Sequence, residues 1–183
     1  LHTAYRRQRQ MCIRDRTKLA GKFAGVQIDR IINEPSAAAL AKRSMVNQED
    51  QSLIVVDFGG GTLDISVVEL FDNIVEIVSI AGDNRLGGED FTAAIAEEFL
   101  VSNQLTKDTI SREFYSKIIV QAEKTKLELN SKEEVKMTVL DQEQEYTLDL
   151  SYQRFYELCQ PLLARVKAVL DRALMDARYS YVS

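Results

Sequence analysis

Four consecutive apolar residues, Leu53-Ile54-Val55-Val56, precede a glycine-rich break, and beyond it the pattern resumes as Leu63-Asp64-Ile65-Ser66-Val67-Val68-Glu69-Leu70. β-Branched residues bounded by turn residues read as strands, so the two runs form an antiparallel hairpin. A third strand is predicted over 74–81 after an Asp72-Asn73 turn, giving a meander of strands 53–58, 63–71 and 74–81. Further on the period changes to that of a helix. One helix is predicted from Glu89 to Gln104, and another from Ser111 to Leu129 with Phe114, Ile118, Ala122 and Thr125 on its apolar face. Val135 to Leu140 and Glu145 to Leu150 read as a hairpin turning at 141–144. Ser151 is placed to cap a last helix with the repeat Phe155, Leu158, Leu162, Val166, Val169, Ala173, in which Pro161 predicts a kink or restart.

Before the meander the signals are shorter. From residue 17 Leu19, Ala20, Phe23 and Ala24 make a brief helical stripe ended by Gly25, and Ile28 to Ile32 read as a strand. Asn33-Glu34-Pro35-Ser36 then opens a helix through Ala37 to Ala41, with Asn33 or Ser36 as its cap. Residues 47–52 are polar and read as a linker. Residues 1–16 hold five arginines and one acid with no helical or strand period. They read as an arm foreign to the domain, an artefact in which Met11-Cys12-Ile13-Arg14-Asp15-Arg16 resembles a spurious adapter translation, the alternative being a transit peptide.

The break between the first two strands carries the chemistry. Asp57-Phe58-Gly59-Gly60-Gly61-Thr62-Leu63-Asp64 sets three glycines and a threonine between two carboxylates. Glycines let several backbone N–H groups approach one ligand, which suits a phosphate chain. Asp57 and Asp64 flank that cradle and suit a magnesium ion held mainly through its waters, with the Thr62 hydroxyl near the terminal phosphate. The bland alternative is a hairpin whose glycines only supply positive φ.

A chain of 183 residues, 45% hydrophobic and 28% charged, can bury a real core. A net charge of -5 argues against a general nucleic-acid or membrane-surface partner. No apolar run is long enough to span a bilayer. Cys12 and Cys159 lack any metal-ligand spacing and read as reduced thiols of a cytoplasmic protein.

Three ordered motifs carry a resemblance. Ile31-Ile32-Asn33-Glu34-Pro35-Ser36-Ala37-Ala38-Ala39-Leu40, then Asp57 to Asp64, then Leu86-Gly87-Gly88-Glu89-Asp90-Phe91, resemble the nucleotide-binding domain of DnaK-type heat-shock chaperones, over residues 17–178. The stretches 81–84, 161–163 and 173–178 look most like the HscC branch. The resemblance implies an α/β, actin-like ATPase with a ribonuclease-H-like lobe: a mixed sheet with an antiparallel meander flanked by helices, plus a small α+β subdomain, here partial. Residues 17–50 would be the end of lobe I and the crossover helix, 52–90 with 151–178 the sheet subdomain of lobe II, and 91–150 its upper subdomain.

By the same resemblance, Gly59, Gly60, Gly61 and Thr62 hold the phosphates of ATP or ADP. Asp57, Thr62, Asp64 and Glu34 form the catalytic set, with Asp57, Asp64 and Glu34 organising Mg2+, and K+ as a further ion. Gly87 and Gly88 bring a helix N-terminus to the nucleotide, and Glu123, Lys126 and Asn130 serve the adenosine side. The implied partners are unfolded client polypeptides, a J-domain co-chaperone and a nucleotide exchange factor. Leu127 departs from an Arg found in some members, Asn130 from a serine, and Phe58 and Leu63 exchange the commoner order. Taken alone, Glu34 is an acid at a helix start and Glu123 with Lys126 a solvated helix ion pair. The first phosphate loop, the catalytic lysine and the later adenosine motif have no counterpart in the sequence, so the chain alone is expected to hydrolyse ATP poorly. An actin-like filament protein is the competing reading and a sugar or acetate kinase the third; the Asn33-Glu34-Pro35 and Leu86-Gly87-Gly88 motifs favour the chaperone.

Overall fold

A computed structural model describes the backbone of residues 2–45, 51–71 and 74–179 and the side chains of 12–42, 51–71 and 74–179. The chain divides into two units, Leu1–Asn47 and Gln48–Ser183.

The first unit holds two helices, α1 (His2–Phe23) and α2 (Glu34–Met45). The arginine-rich arm, expected to lack regular structure, is therefore helical. Arg, Gln and Lys have good helix propensity, and residues 12–20 of α1 are all exposed. Gly25, at φ 73°, closes α1 with paired bonds from its own N–H to Lys22 and from Val26 N–H to Gly21. The expected strand at 28–32 is irregular backbone, because no strand among the described residues pairs with it. Asn33 stands just before α2, but its side-chain oxygen accepts from Arg14 at 2.7 Å and so does not cap. Ser36 lies inside the helix.

The second unit follows the predicted order: β1 (Gln51–Phe58), β2 (Leu63–Phe71), β3 (Ile74–Asp83), α3 (Gly88–Ser102), α4 (Arg112–Glu128), β4 (Glu134–Asp141), β5 (Gln144–Ser151) and α5 (Tyr152–Asp176). The linker read at 47–52 falls mostly outside the described residues, and its last two residues belong to β1. The turn read at Asp72-Asn73 also lies outside them. The meander is antiparallel throughout, with β2 central and a bulge at Val67/Val68. The expected mixed sheet is not seen among the described residues. A parallel pair needs a crossover returning to the same sheet, and the strands after α4 form a separate hairpin instead.

Two cores hold this unit. Leu63, Ile65 and Val67, on one face of β2, bury against Val169, Ala173 and Ala177 of α5 and its end. Each of the buried Leu, Ile and Val side chains contributes about 1.5–3 kcal/mol. Ser79 of β3 donates to the Ala173 carbonyl at 2.6 Å, fixing helix to sheet. The other core joins α3 and α4 to the β4–β5 hairpin through Phe99, Phe114, Ile118, Met137 and Leu150. The predicted apolar face of α4 is buried at all four positions, and Ser111 caps the helix by accepting from Phe114 N–H. Ser151 caps α5 in the same way at Arg154. α5 runs unbroken through Pro161: the proline is exposed, and apolar residues on both sides of it keep the helix on the cores.

Candidate functional site

β1 and β2 end in directly opposed pairs, Asp57 with Asp64 and Phe58 with Leu63. Leu63 is buried, while Phe58 is partly exposed and sets its ring edge against Phe91, centroids 5.8 Å apart. Beyond them Gly59 N–H donates to the Thr62 carbonyl at 2.9 Å, closing a four-residue turn. Among the described residues nothing accepts from the backbone N–H groups of Gly60, Gly61 and Thr62. None of the three glycines lies in the left-handed region. A Cβ on Gly61 would meet nothing within 4 Å, and on Gly59 or Gly60 only ordinary contacts of 3.4–3.9 Å. Positive φ and internal packing therefore do not account for the glycines. Open space over unpartnered amides is what a cradle for an anion requires.

The Leu86-Gly87-Gly88 corner braces this turn from behind. Gly88 N–H donates to the Gly59 carbonyl at 3.0 Å and Glu89 N–H to the Gly60 carbonyl at 2.8 Å. Gly87 touches the Gly60 backbone so closely that a Cβ would overlap it. Asp90 accepts from Gly87 N–H at 2.8 Å and completes the corner. The first amides of α3 are thus committed to the turn's carbonyls, and Gly87 serves close packing.

A cleft of about 1030 Å3 opens in front, lined by Gly60, Gly61, Arg85, Gly88, Glu123 and Lys126 among others. Ile119 and Val120 of α4 add apolar surface to its lining. Glu123 and Lys126 form a 2.6 Å ion pair on α4 that is tied to α3. Lys126 Nζ donates to the Gly88 carbonyl at 2.9 Å and to the Thr92 hydroxyl at 2.8 Å. The single hydroxyl proton of Thr92, a buried residue, has Glu123 Oε2 and the Gly88 carbonyl as acceptors. The Lys126 ammonium, and after it the Thr92 hydroxyl, hold the Glu123 carboxyl below its ordinary value. The pair is accordingly more than a solvated surface bridge.

Asp57, Thr62 and Asp64 are exposed and do not line that cleft. Asp57 and Asp64 are cross-strand partners, so their carboxylates share a face, where two like charges repel unless a cation intervenes. No group of three potential metal ligands occurs among the described residues. Two carboxylates without a third ligand fit magnesium, which keeps most of its waters. Glu34 opens α2 in the other unit and is exposed. Asn130, just past α4, lines a different, smaller depression with Lys132 and Tyr152.

Three contributors went unread in the sequence. Gly82 is the β3 partner of Asp64, whose carboxylate lies where a Cβ would stand. An isolated glycine at a strand end is the signal for such an approach. Thr92 sits four residues beyond Gly88, a polar residue on the buried stripe of α3. Arg85 had no signal beyond its place two residues before Gly87.

Turn amides without partners among the described residues, opposed acids and a cleft lined by an ion pair thus stand on one mixed α/β scaffold. The family model described as Hsp70 protein matches residues 4–182, and the chain belongs to that family. The match extends into the arginine-rich arm. "Chaperone protein dnaK" of Cyanophora paradoxa is 34% identical over 174 residues, covering 90% of this chain and 28% of that protein. "Chaperone protein dnaK" of Thalassiosira pseudonana is 36% identical over 177 residues, covering 90% of this chain and 29% of that protein. The chain thus spans less than a third of the relatives it matches. The family carries the actin-like ATPase fold and does not favour the filament reading. Among the described residues no helix is long and apolar enough to cross a membrane.

Proposed function

We propose that this chain is part of the nucleotide-binding domain of an ATP-driven chaperone, supplying one side of the cleft that closes on Mg-ATP. The observation that carries the reading is the turn of Gly60, Gly61 and Thr62, whose amides have no partner among the described residues and whose glycines are unexplained by φ or packing. In this reading the amides hold the β and γ phosphates. Asp57 and Asp64 steer magnesium through its waters, with potassium as a second ion, and Thr62 sits by the terminal phosphate. Gly88, Glu123 and Lys126 serve the adenosine end, with Asn130 at its margin, and Glu34 couples the two lobes. Phosphoryl transfer of this kind rests on placement and charge neutralisation.

In the intact protein, hydrolysis would drive cycles of binding and release of unfolded polypeptides, helped by a J-domain co-chaperone and an exchange factor, in the cytoplasm. Residues 52–90 with 151–178 act as the sheet subdomain, 91–150 as the upper subdomain and 17–50 as the link to lobe I. In its motifs the chain looks most like the HscC branch. The test is titration of the chain with Mg-ATP followed by backbone amide shifts. Shifts concentrated at Gly60, Gly61 and Thr62, with negligible turnover, are expected; shifts elsewhere only, or full ATPase activity, would overturn the reading.

A further inference from the structure

The loop between β3 and α3 is held more tightly than its exposure suggests. Asp83 Oδ1 accepts from Arg85 N–H at 2.9 Å. Its other oxygen accepts twice from Arg165 of α5, from Nε at 3.1 Å and from a terminal nitrogen at 2.7 Å. The same Arg165 nitrogen donates to the Arg85 carbonyl at 2.7 Å. Both polar groups of the Arg85 backbone are thus pinned by one Asp–Arg clasp. A planar guanidinium can do this because its donors form a fixed fork, which a lysine lacks. Arg165, and after it the Arg85 amide, hold the Asp83 carboxyl below its ordinary value.

The next residue, Leu86, is fully buried, and Gly87 is in backbone contact with Gly60. Arg85 is therefore anchored on both sides, at the phosphate-turn end of the cleft, which it lines together with Gly60 and Gly61. Among the described residues its guanidinium forms no ion pair within 4.0 Å. A guanidinium with no ion-pair partner among the described residues, rooted in a pinned backbone and lining the cleft with Gly60 and Gly61, is suited to an anion bound there.

We propose that Arg85 is a further contact for the polyphosphate chain and that Arg165, through Asp83, is its positioning residue. This rests on the nucleotide reading above. Arg165 reaches no ligand itself; it fixes the turn from which Arg85 projects.

The test compares the wild-type chain with Arg85→Ala, Arg85→Lys, Arg165→Gln and Arg165→Lys, each titrated with Mg-ATP, Mg-ADP and adenosine and followed by amide and Arg Nε shifts. Arg85→Ala is expected to weaken Mg-ATP and Mg-ADP about tenfold, the scale of one hydrogen bond to a charged group, and to leave adenosine unchanged. Arg85→Lys should recover part of the loss. Arg165→Gln should lower the ratio of Mg-ATP to adenosine affinity about threefold and remove the exchange protection of the Arg85 amide. Arg165→Lys should restore little, because it cannot hold Asp83 and the Arg85 carbonyl together. A merely destabilised fold would weaken adenosine and Mg-ATP alike, leaving that ratio unmoved, and would overturn the positioning role. Mg-ATP bound equally by wild type and Arg85→Ala would overturn the inference alone. No Mg-ATP binding by the wild-type chain would overturn the nucleotide reading and this inference with it.

Discussion

Gly87 and Gly60 meet backbone to backbone, with no room for a side chain on Gly87. The contact joins the start of α3 to the β1–β2 turn, and the bonds from Gly88 and Glu89 to the Gly59 and Gly60 carbonyls depend on it. Gly87 lies outside the left-handed region, so its glycine is a matter of space alone. Gly87→Ala must separate helix from turn, since rigid backbone on both sides cannot yield cheaply. A loss of about 1–3 kcal/mol is expected, the usual cost of overpacking. Thermal unfolding of the variant checks it; an unchanged midpoint would show that corner and turn are not in contact.

Gly61 is the opposite case. A methyl there meets nothing in the protein, and its φ is one that alanine adopts. Gly61→Ala should leave stability unchanged or raise it by up to about 1 kcal/mol through the unfolded chain. It should also weaken Mg-ATP by about 10–100-fold, the effect of displacing one hydrogen bond to a charged group. Paired unfolding and titration measurements separate the two effects. Tight Mg-ATP binding by Gly61→Ala would mean that the phosphates do not lie over this turn.

The contrast between these glycines marks what was legible in the sequence. Strand and helix periods placed the meander, the α3–α4 pair, the β4–β5 hairpin and the Ser151 cap within a few residues, because each rests on local propensity and one buried face. The arm at His2 was misread because a helix without an apolar stripe leaves no period to find. The segment 28–32 was misread for the converse reason, a strand-like composition with no partner to pair with. In the site, Gly59 to Thr62 and the Glu123–Lys126 pair were legible as motifs. Thr92, Gly82 and the Arg85–Asp83–Arg165 clasp were not. Their work depends on contacts between residues 18 to 82 positions apart, such as Asp64 over Gly82 and Arg165 at Asp83, and only the register of β2 with β3 and the packing of α5 create them.

Asp64 and Gly82 give a further test. The Asp64 carboxylate rests over the Gly82 Cα, on the row that also holds Asp57. A methyl at residue 82 pushes the carboxylate aside and stands 3.0 Å from the Leu63 carbonyl oxygen; the side chain can swing and the backbone need give only slightly, so the stability cost should be about 1 kcal/mol, the low end of overpacking. Gly82→Ala is therefore expected to keep the fold and lose the Mg2+ dependence of ATP binding. Titrations with ATP in the presence and absence of Mg2+ read this directly. An undiminished Mg2+ effect in the variant would remove Asp64 from the metal's surroundings.

Low pH should loosen the cleft before it unfolds the two cores. Glu123 and Asp83 both have carboxyls held below their ordinary values of 4.5 and 3.8, Glu123 by Lys126 and Thr92, Asp83 by Arg165 and the Arg85 amide. A carboxyl with a lowered pKa in the folded state binds its proton more readily once unfolded. Its stabilising contribution is complete above the ordinary value and disappears as pH falls through the folded one. The protein should therefore hold constant stability from neutral pH to about 5 and lose it progressively below about 4.5. Glu123→Gln should flatten the upper part of that decline and Asp83→Asn the lower part. Both side chains are partly exposed, so salt should shrink each effect. Denaturant unfolding at a series of pH values, with and without 1 M salt, checks the order. If the two variants lost stability with the same pH profile as wild type, neither pair would be formed in the folded protein, and the Glu123–Lys126 wall of the cleft would have no electrostatic anchor.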